Sequence, residues 1–486
     1  MQQPRILGFE AWAMWAPLHL RVSILRRPEF YRLSPQTSLL ALSVAALALA
    51  SCGGESTQVE EEVPPSLILI SLDTLRYDHC GFNGYERDTT PFLDKLAKES
   101  IVFDRVYTTM SWTLIAHMSM LTGLYPNQHG VFSADVALTN EFPTLAERLH
   151  REGYLNSGVY ANGWVGDRYG FNRGFDSYER AFSIEKADAF VRASMKAVRP
   201  GFPYFQFIHL FDIHSASFHL PGSTIYDPPA PFDSLFVEDA KERLAGIDAL
   251  EWWTEPVTPT PEQHEAVVAL YDGGIRHVDS VLEAWFTDWE ERGLLDNTIV
   301  VITADHGEGL RQRLEHYGGH GGLKEEGLRV PLLIRLPGGE RGGERIDELM
   351  SLIDIVPTVL DIAGLPGDDR LPGRSAMGPP RAEDEWVFVA RDSVSAAISR
   401  DQKIIYAGPI VRSLFDLAKD PGELEPFTFR SGRKKFSAIV EPILDHALVQ
   451  LGTYYQPGEA LNIDELDEQA KSDLRGLGYA GEVDDQ

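Results

Sequence analysis

Three features of the chain predict its fold class: a doubly wound, mostly parallel α/β sheet flanked by helices, with a small C-terminal antiparallel-sheet subdomain. Continuous apolar runs recur at Ser66–Leu72 and at residues 203–210 and 297–303. Such runs are expected of strands buried on both faces of a parallel sheet. Helical patterns alternate with them, at Leu145–Arg151 and at residues 186–198 and 262–292. After about Ala376 the pattern changes to short extended segments at 386–390, 394–398, 403–406 and 412–415, which suit a separate antiparallel sheet.

Before the first strand, residues 1–52 read as a processing segment. Arg21, Arg26, Arg27 and Arg32 precede an apolar run at 38–50 that is short for a membrane span and has signal-peptide length. It ends in Leu49-Ala50-Ser51-Cys52-Gly53, which resembles the bacterial lipobox. The resemblance implies cleavage before Cys52, acylation of that residue and anchoring to a membrane. With Gly53 next, it favours the outer membrane, the chain facing the periplasm or exterior. Residues 53–65, rich in Glu and ending in Pro64-Pro65, read as a tether. The predicted divisions are then 66–375 for the main α/β domain, 376–458 for the subdomain and 459–486 for a charged tail.

The first strand stops at Asp73-Thr74, and carboxylates at the C-terminal edge of such strands face the crevice where ligands bind. Residues 90–97 begin a helix with Pro91 in its first turn, and Ile101–Tyr107 is strand-like. Met110 to Gly123 then reads as a short helix that opens on Thr113. His117 stands one turn on, sharing a face with Thr113, and Gly123 closes the helix. Its N-terminus suits a tetrahedral anion. The plainer alternative is a capped core helix with Thr113 as N-cap. Residues 157–160 form a strand, and the strand at 203–210 runs into Phe211-Asp212-Ile213-His214. A Pro- and aromatic-rich insertion follows, reaching Pro261 and shaping a pocket. The last buried strand ends in Ala304-Asp305-His306-Gly307-Glu308.

Composition narrows the function classes. Of 486 residues, 43% are apolar and 24% charged, ordinary for a globular chain with a sizeable core. Asp and Glu outnumber Lys and Arg by 73 to 44, a net charge of −29. That argues against a nucleic-acid partner, and it slows an anionic substrate unless a metal or cationic pocket offsets the field. Cys80 is the sole cysteine after Cys52, so a disulfide framework is not expected and Cys80 reads as a packing residue.

Asp73, Asp305 and His306 each sit where a buried strand ends. Two carboxylates and an imidazole suit a divalent cation, Mn²⁺ or Zn²⁺, with Ca²⁺ less favoured by the imidazole. A hydroxyl at a helix N-terminus completes the set.

Here the chain resembles the sulfatases of the alkaline phosphatase superfamily. The matching blocks run in order: residues 69–79, Thr90-Pro91-Phe92-Leu93-Asp94, Leu121-Thr122-Gly123-Leu124-Tyr125-Pro126, residues 170–176, Ala304-Asp305-His306-Gly307-Glu308 and Asp354-Ile355-Val356-Pro357-Thr358. Leu414-Phe415-Asp416-Leu417 with Asp420-Pro421-Gly422-Glu423 is similar to the signature of the C-terminal subdomain. The resemblance implies that Asp73, Asp305 and His306 bind a metal together with the nucleophile, which falls on Thr113. Family sulfatases carry Cys or Ser there, in C/S-x-P-x-R, and convert it to formylglycine. Thr113, Ile115 and His117 replace the Cys, Pro and Arg. Threonine cannot yield formylglycine, so what remains is a metal-activated alkoxide, with nearby imidazoles neutralising the anion. His214 resembles the substrate-contacting His of H-x-x-D-P-H, and His320 falls where many sulfatases have Lys, contacting the anion or protonating the leaving oxygen. His209 reads as structural. The expected substrate is a sulfate or phosphate ester of a small molecule or glycan. Two alternatives stand beside it: a phosphoglycerol or phosphoethanolamine transferase, and a catalytically silent binding lipoprotein of the same fold.

Overall fold

The computed structural model describes residues 63–199, 201–215, 224–247, 249, 252, 258–312, 322–390, 394–407, 410–426 and 459–460. Its centre is an eight-stranded sheet. In chain order the strands are β1 (Ser66–Leu72), β2 (Ile101–Tyr107), β3 (Val136–Ala137), β4 (Leu155–Tyr160), β5 (Ser177–Arg180), β6 (Tyr204–Leu210), β7 (Thr298–Thr303), β8 (Arg329–Arg335) and β9 (Arg345–Ser351). All but β3 join the sheet, in the order β5-β4-β6-β1-β7-β8-β2-β9. The five strands from β5 to β7 pair in parallel, β8 is antiparallel to both its neighbours, and β9 pairs in parallel with β2. The expectation of a mostly parallel sheet therefore holds, with one reversed strand inside it.

The three continuous apolar runs became the three central strands, β6, β1 and β7, and every residue of these strands is buried. β1 aligns Leu67 with Phe205 on one side and with Ile299 on the other, so all three strands end at the same edge. That edge carries the residues after Leu72, Leu210 and Thr303, and it is where a doubly wound sheet opens a crevice.

A helix at Thr113–Thr122, here α1, follows β2, and a 31-residue helix, α2 (Pro261–Glu291), precedes β7. α2 opens with a capping box between Thr260 and Gln263 and with Pro261 in its first turn. It buries Tyr271, Trp285 and Trp289 against the core. At Gly273 a Cβ would lie 2.3 Å from Phe232 O, so only glycine lets the insertion cross this helix at backbone contact. No helix among the described residues is long and apolar enough to cross a membrane.

The predicted antiparallel sheet forms from β10 (Val387–Val389), β11 (Ser395–Ile398), β12 (Gln402–Ala407) and β13 (Ile410–Asp416), in sequential order. Val387, Val389, Ile398 and Phe415 pack on Tyr107, Leu328 and Leu349, while Phe388, Ala397 and Ile404 pack with Tyr125 and Ile353. Both faces of the small sheet are thus covered by the main body. β14 (Glu459–Ala460) pairs with β3.

Candidate active site

Of the residues singled out from the sequence, Asp73, Thr113, His117, Asp305 and His306 meet at the edge where β1, β6 and β7 end. Asp73 and Asp305 are fully buried, as are His306 and His117, and Thr113 is 1% exposed. The backbone of Asp73 is tied to β6 by its N–H donating to Leu210 O at 2.9 Å. Thr74, next to it, has φ 61°, a left-handed conformation that costs a β-branched residue about 1–3 kcal/mol. The turn is held by Thr74 Oγ1 donating to Asp73 O (2.7 Å) and by Tyr271 Oη donating to Thr74 O (2.7 Å). It points the Thr74 N–H at Asp305 Oδ1, 3.3 Å away.

α1 starts as expected, with one difference. Trp112 is its N-cap, Thr113 is the first helical residue, and no side chain caps its first turn. The Thr113 hydroxyl is therefore not used as a cap. It lies 3.4 Å from Asp73 Oδ2 and 3.4 Å from His306 Nε2. Gly123 ends the helix at φ 74°, as the sequence predicts.

Each carboxylate has one oxygen supplied with donors and one without. Asp73 Oδ2 accepts from His209 Nε2 (3.0 Å), Asn162 Nδ2 (3.3 Å) and Thr113 Oγ1, whereas Asp73 Oδ1 is buried with no hydrogen bond. Asp305 Oδ1 accepts the N–H groups of His306 (2.8 Å) and Thr74, whereas Asp305 Oδ2 is buried with none. His306 Nδ1 donates to Gly307 O at 2.8 Å, which leaves Nε2 without a proton, 3.4 Å from Asp305 Oδ2. Two bare carboxylate oxygens and an imidazole lone pair repel one another unless a cation sits among them. One ligand atom from each of Asp73, Asp305 and His306 lies within 4.8 Å of the others. The donor set fits a divalent metal ion, and nitrogen in the set fits Mn²⁺ or Zn²⁺ better than Ca²⁺.

The histidines divide. His117 Nδ1 donates to Thr113 O (2.8 Å) and lies 3.5 Å from Asp305 Oδ2, while its Nε2 meets Ser71 Oγ at 2.9 Å. Burial pushes its pKa down to about 3. His214 donates from Nδ1 to Ser215 O (2.9 Å), stacks on Phe211 with ring centroids 3.9 Å apart, and is pushed down to about 4 by burial. Burial therefore favours the neutral form of both rings. His209, read from the sequence as structural, reaches the Asp73 carboxylate through Nε2. His320 and Cys52 lie outside the described residues.

Asn162 was missed. It follows β4 at the same edge, its Oδ1 accepts from Trp164 N (2.9 Å), and this turns its amide toward Asp73. The strand-end rule that picks out Asp73 would have found it, had the mixed stretch Leu155–Tyr160 announced a central strand as clearly as the apolar runs do. Glu308 ends the Ala304-Asp305-His306-Gly307-Glu308 block. Both its carboxylate oxygens are buried without hydrogen bonds, and burial raises its pKa well above the usual range. Arg76 reaches its main chain, with Nη1 donating to Glu308 O at 3.1 Å.

A family model described as Sulfatase matches residues 65–365. The chain belongs to the sulfatase family. Sulfatases are ester-bond hydrolases, and curated relatives bear this out. An arylsulfatase of Clostridium perfringens is 24% identical over 449 residues, covering 74% of this chain and 89% of that protein. Human arylsulfatase A is 25% identical over 461 residues, covering 80% and 86%. Solved structures share the sulfatase fold at TM-scores of 0.59 to 0.64. The phosphonate monoester hydrolase of Agrobacterium radiobacter has TM-score 0.63 and 22% identity, covering 80% of this chain and 96% of its own. A protein solved with its substrate D-glucosamine-2-N,6-O-disulfate has TM-score 0.64 and 18% identity, covering 80% and 98%.

Proposed function

We propose that this sulfatase-family protein hydrolyses sulfuric or phosphoric esters of small molecules or glycans, with Thr113 as the nucleophile. One observation carries the reading: the Thr113 hydroxyl opens an uncapped helix and faces Asp73 Oδ2 and His306 Nε2 at 3.4 Å each. A divalent cation held by Asp73, Asp305 and His306, with Thr113, would supply Lewis acidity that lowers the hydroxyl pKa and polarises the ester. The first turn of α1 presents backbone N–H groups to the anionic group being transferred. Thr113 Oγ forms a bond to sulfur or phosphorus while the bond to the bridging ester oxygen breaks. The hydroxyl proton ends on that oxygen, so the alcohol leaves neutral. Water then adds to the same atom and displaces Thr113 Oγ, which takes one of the water's protons.

The remaining side chains have distinct parts in this scheme. A neutral His214, with Nδ1 occupied by Ser215 O, has only Nε2 with which to carry the proton from nucleophile to leaving group. His320 is the second group proposed to contact the anion or the leaving oxygen. His117 sets the position of the Thr113 main chain and of Asp305. A covalent threonine ester cannot release its anion by elimination, as a formylglycine adduct can, and this favours phosphorus esters. The phosphonate monoester hydrolases among the structural neighbours are consistent with that preference. The proposal includes a lipid anchor at Cys52 and a place in the cell envelope, supported by the lipobox resemblance.

The test is a panel of aryl sulfate, phosphate monoester, phosphate diester and phosphonate substrates, assayed with Mn²⁺, Zn²⁺, Ca²⁺ or Mg²⁺ beside Thr113→Ala. Turnover with Mn²⁺ or Zn²⁺ that falls by about three orders of magnitude in the variant supports the reading. Undiminished turnover in Thr113→Ala removes the nucleophile assignment. Group transfer only when an acceptor alcohol is present points to the transferase. No turnover and no metal binding point to the silent binding protein.

A further inference from the structure

We infer that His209 is a positioning residue for the metal: it commits one oxygen of Asp73 and so selects the other as the ligand. The inference rests on the metal reading above and adds to it a residue outside the ligand set. Ser71 and His209 are paired across the β1–β6 ladder, so His209 stands beside the strand end that carries Asp73. The Ala161 N–H donates to His209 Nδ1 at 3.3 Å. That nitrogen is an acceptor, so the ring proton is on Nε2, which donates to Asp73 Oδ2 at 3.0 Å. The ring is fully buried and lies edge-on to His117, with centroids 4.6 Å apart. It has no room to swing away.

Asn162 adds a second donor to the same oxygen at 3.3 Å, its orientation fixed by the bond from Trp164 N. Three neighbouring strands thus converge on one carboxylate: β1 carries it, β6 supplies the imidazole and β4 supplies the amide. Asp73 Oδ2 is filled with donors and Oδ1 is left bare. A carboxylate so divided binds a cation through one oxygen and cannot chelate it with two. Without the His209 donor, Oδ2 keeps only the longer bonds from Asn162 and Thr113 and is released to compete for the cation. Hydrogen bonds of this kind to metal ligands commonly govern affinity by 10–100-fold.

The measurement is Mn²⁺ binding by the metal-free protein, followed through the EPR signal of free Mn²⁺, in wild type, His209→Leu and His209→Gln. Leucine removes the donor, whereas glutamine keeps an N–H near the place of Nε2. The expected result is Mn²⁺ affinity about 10–100-fold weaker in His209→Leu and largely restored in His209→Gln. At saturating Mn²⁺, His209→Leu is expected to lower kcat with little change in KM, since the buried ring is out of the substrate's reach. Circular dichroism of the metal-free proteins reports folding separately. Should the leucine variant not fold, Asn162→Ala reads the same carboxylate, with a smaller loss of affinity expected and an unchanged affinity overturning the inference. Equal Mn²⁺ affinity in wild type and His209→Leu overturns this inference alone, as does a glutamine variant as weak as the leucine one. A wild type that binds no metal overturns the metal reading and this inference with it.

Discussion

Gly307 shows how narrowly the site is built at the scale of one residue. A Cβ there would lie 2.0 Å from Glu326 O, and Gly307 O is the acceptor that fixes the His306 tautomer. Gly307→Ala should therefore cost about 1–3 kcal/mol by overpacking and also weaken Mn²⁺ binding, as read by urea unfolding and metal titration. Asp212 offers a pH prediction away from Asp73, Asp305 and His306. Burial pushes its carboxyl up to about 6; Oδ1 accepts from Ile184 N at 3.1 Å and the buried Oδ2 has no hydrogen bond. The folded protein then holds this proton more tightly than the unfolded chain. Stability from Asp212 is full below pH about 4 and is lost as pH rises through about 6, by roughly 3 kcal/mol. Asp212→Asn should flatten that part of the unfolding midpoint's pH dependence; an unchanged slope would remove Asp212 as its source. At this scale Asp73, Asp305 and His306 were legible because each directly follows an apolar strand. Thr74 and Asn162 were not: the left-handed turn at Thr74 is held by Tyr271, far away in sequence, and Asn162 follows a mixed stretch that does not mark a buried strand end.

Among the elements, the four-residue helix at Glu325–Leu328 links the small sheet to the loop that carries Asp305 and His306. Its carbonyls hold the ligand loop, with Gly307 N donating to Gly327 O and Glu308 N to Glu326 O, both at 3.0 Å. Glu325 pairs with Lys403 of β12 at 3.2 Å, and Lys403 also pairs with Glu423 at 2.8 Å, its side chain fully buried. Lys403→Met would take the Lys403 cation from the buried Glu423 and the partly buried Glu325, and the expected loss is about 3–5 kcal/mol in the unfolding free energy. Replacing Lys403 and both glutamates together by apolar residues should recover much of it. A single variant as stable as wild type would show that the triad does not hold the small sheet in place. The strands of that sheet were legible as short extended runs. β8 and β9 were not. Pro331 lies inside β8, at a register shift against β2, a place where a strand tolerates proline but where sequence patterns argue against one. β9 is an edge strand whose first half is charged and partly exposed, so it lacks the apolar run that marked its neighbours.

Across the whole molecule, the apolar runs of β6, β1 and β7 place the site, because parallel strands of matched register deliver their following residues to one edge. The acidic surplus acts at this scale too. With a net charge of −29, the field opposes an approaching anionic ester. Added salt screens that repulsion, so kcat/KM for an anionic substrate should rise with ionic strength, the reverse of a nucleic-acid-binding protein. A rate that falls with salt would mean that a local cationic funnel dominates. The central claim is the chemistry of Thr113, and its most direct test is acid quenching of the metal-loaded protein during turnover, followed by peptide mass spectrometry. The account predicts a sulfo or phospho group on Thr113, present in wild type and absent when metal is removed. Turnover with no modified peptide under rate-limiting release of the anion, or the group on a different residue, would contradict it.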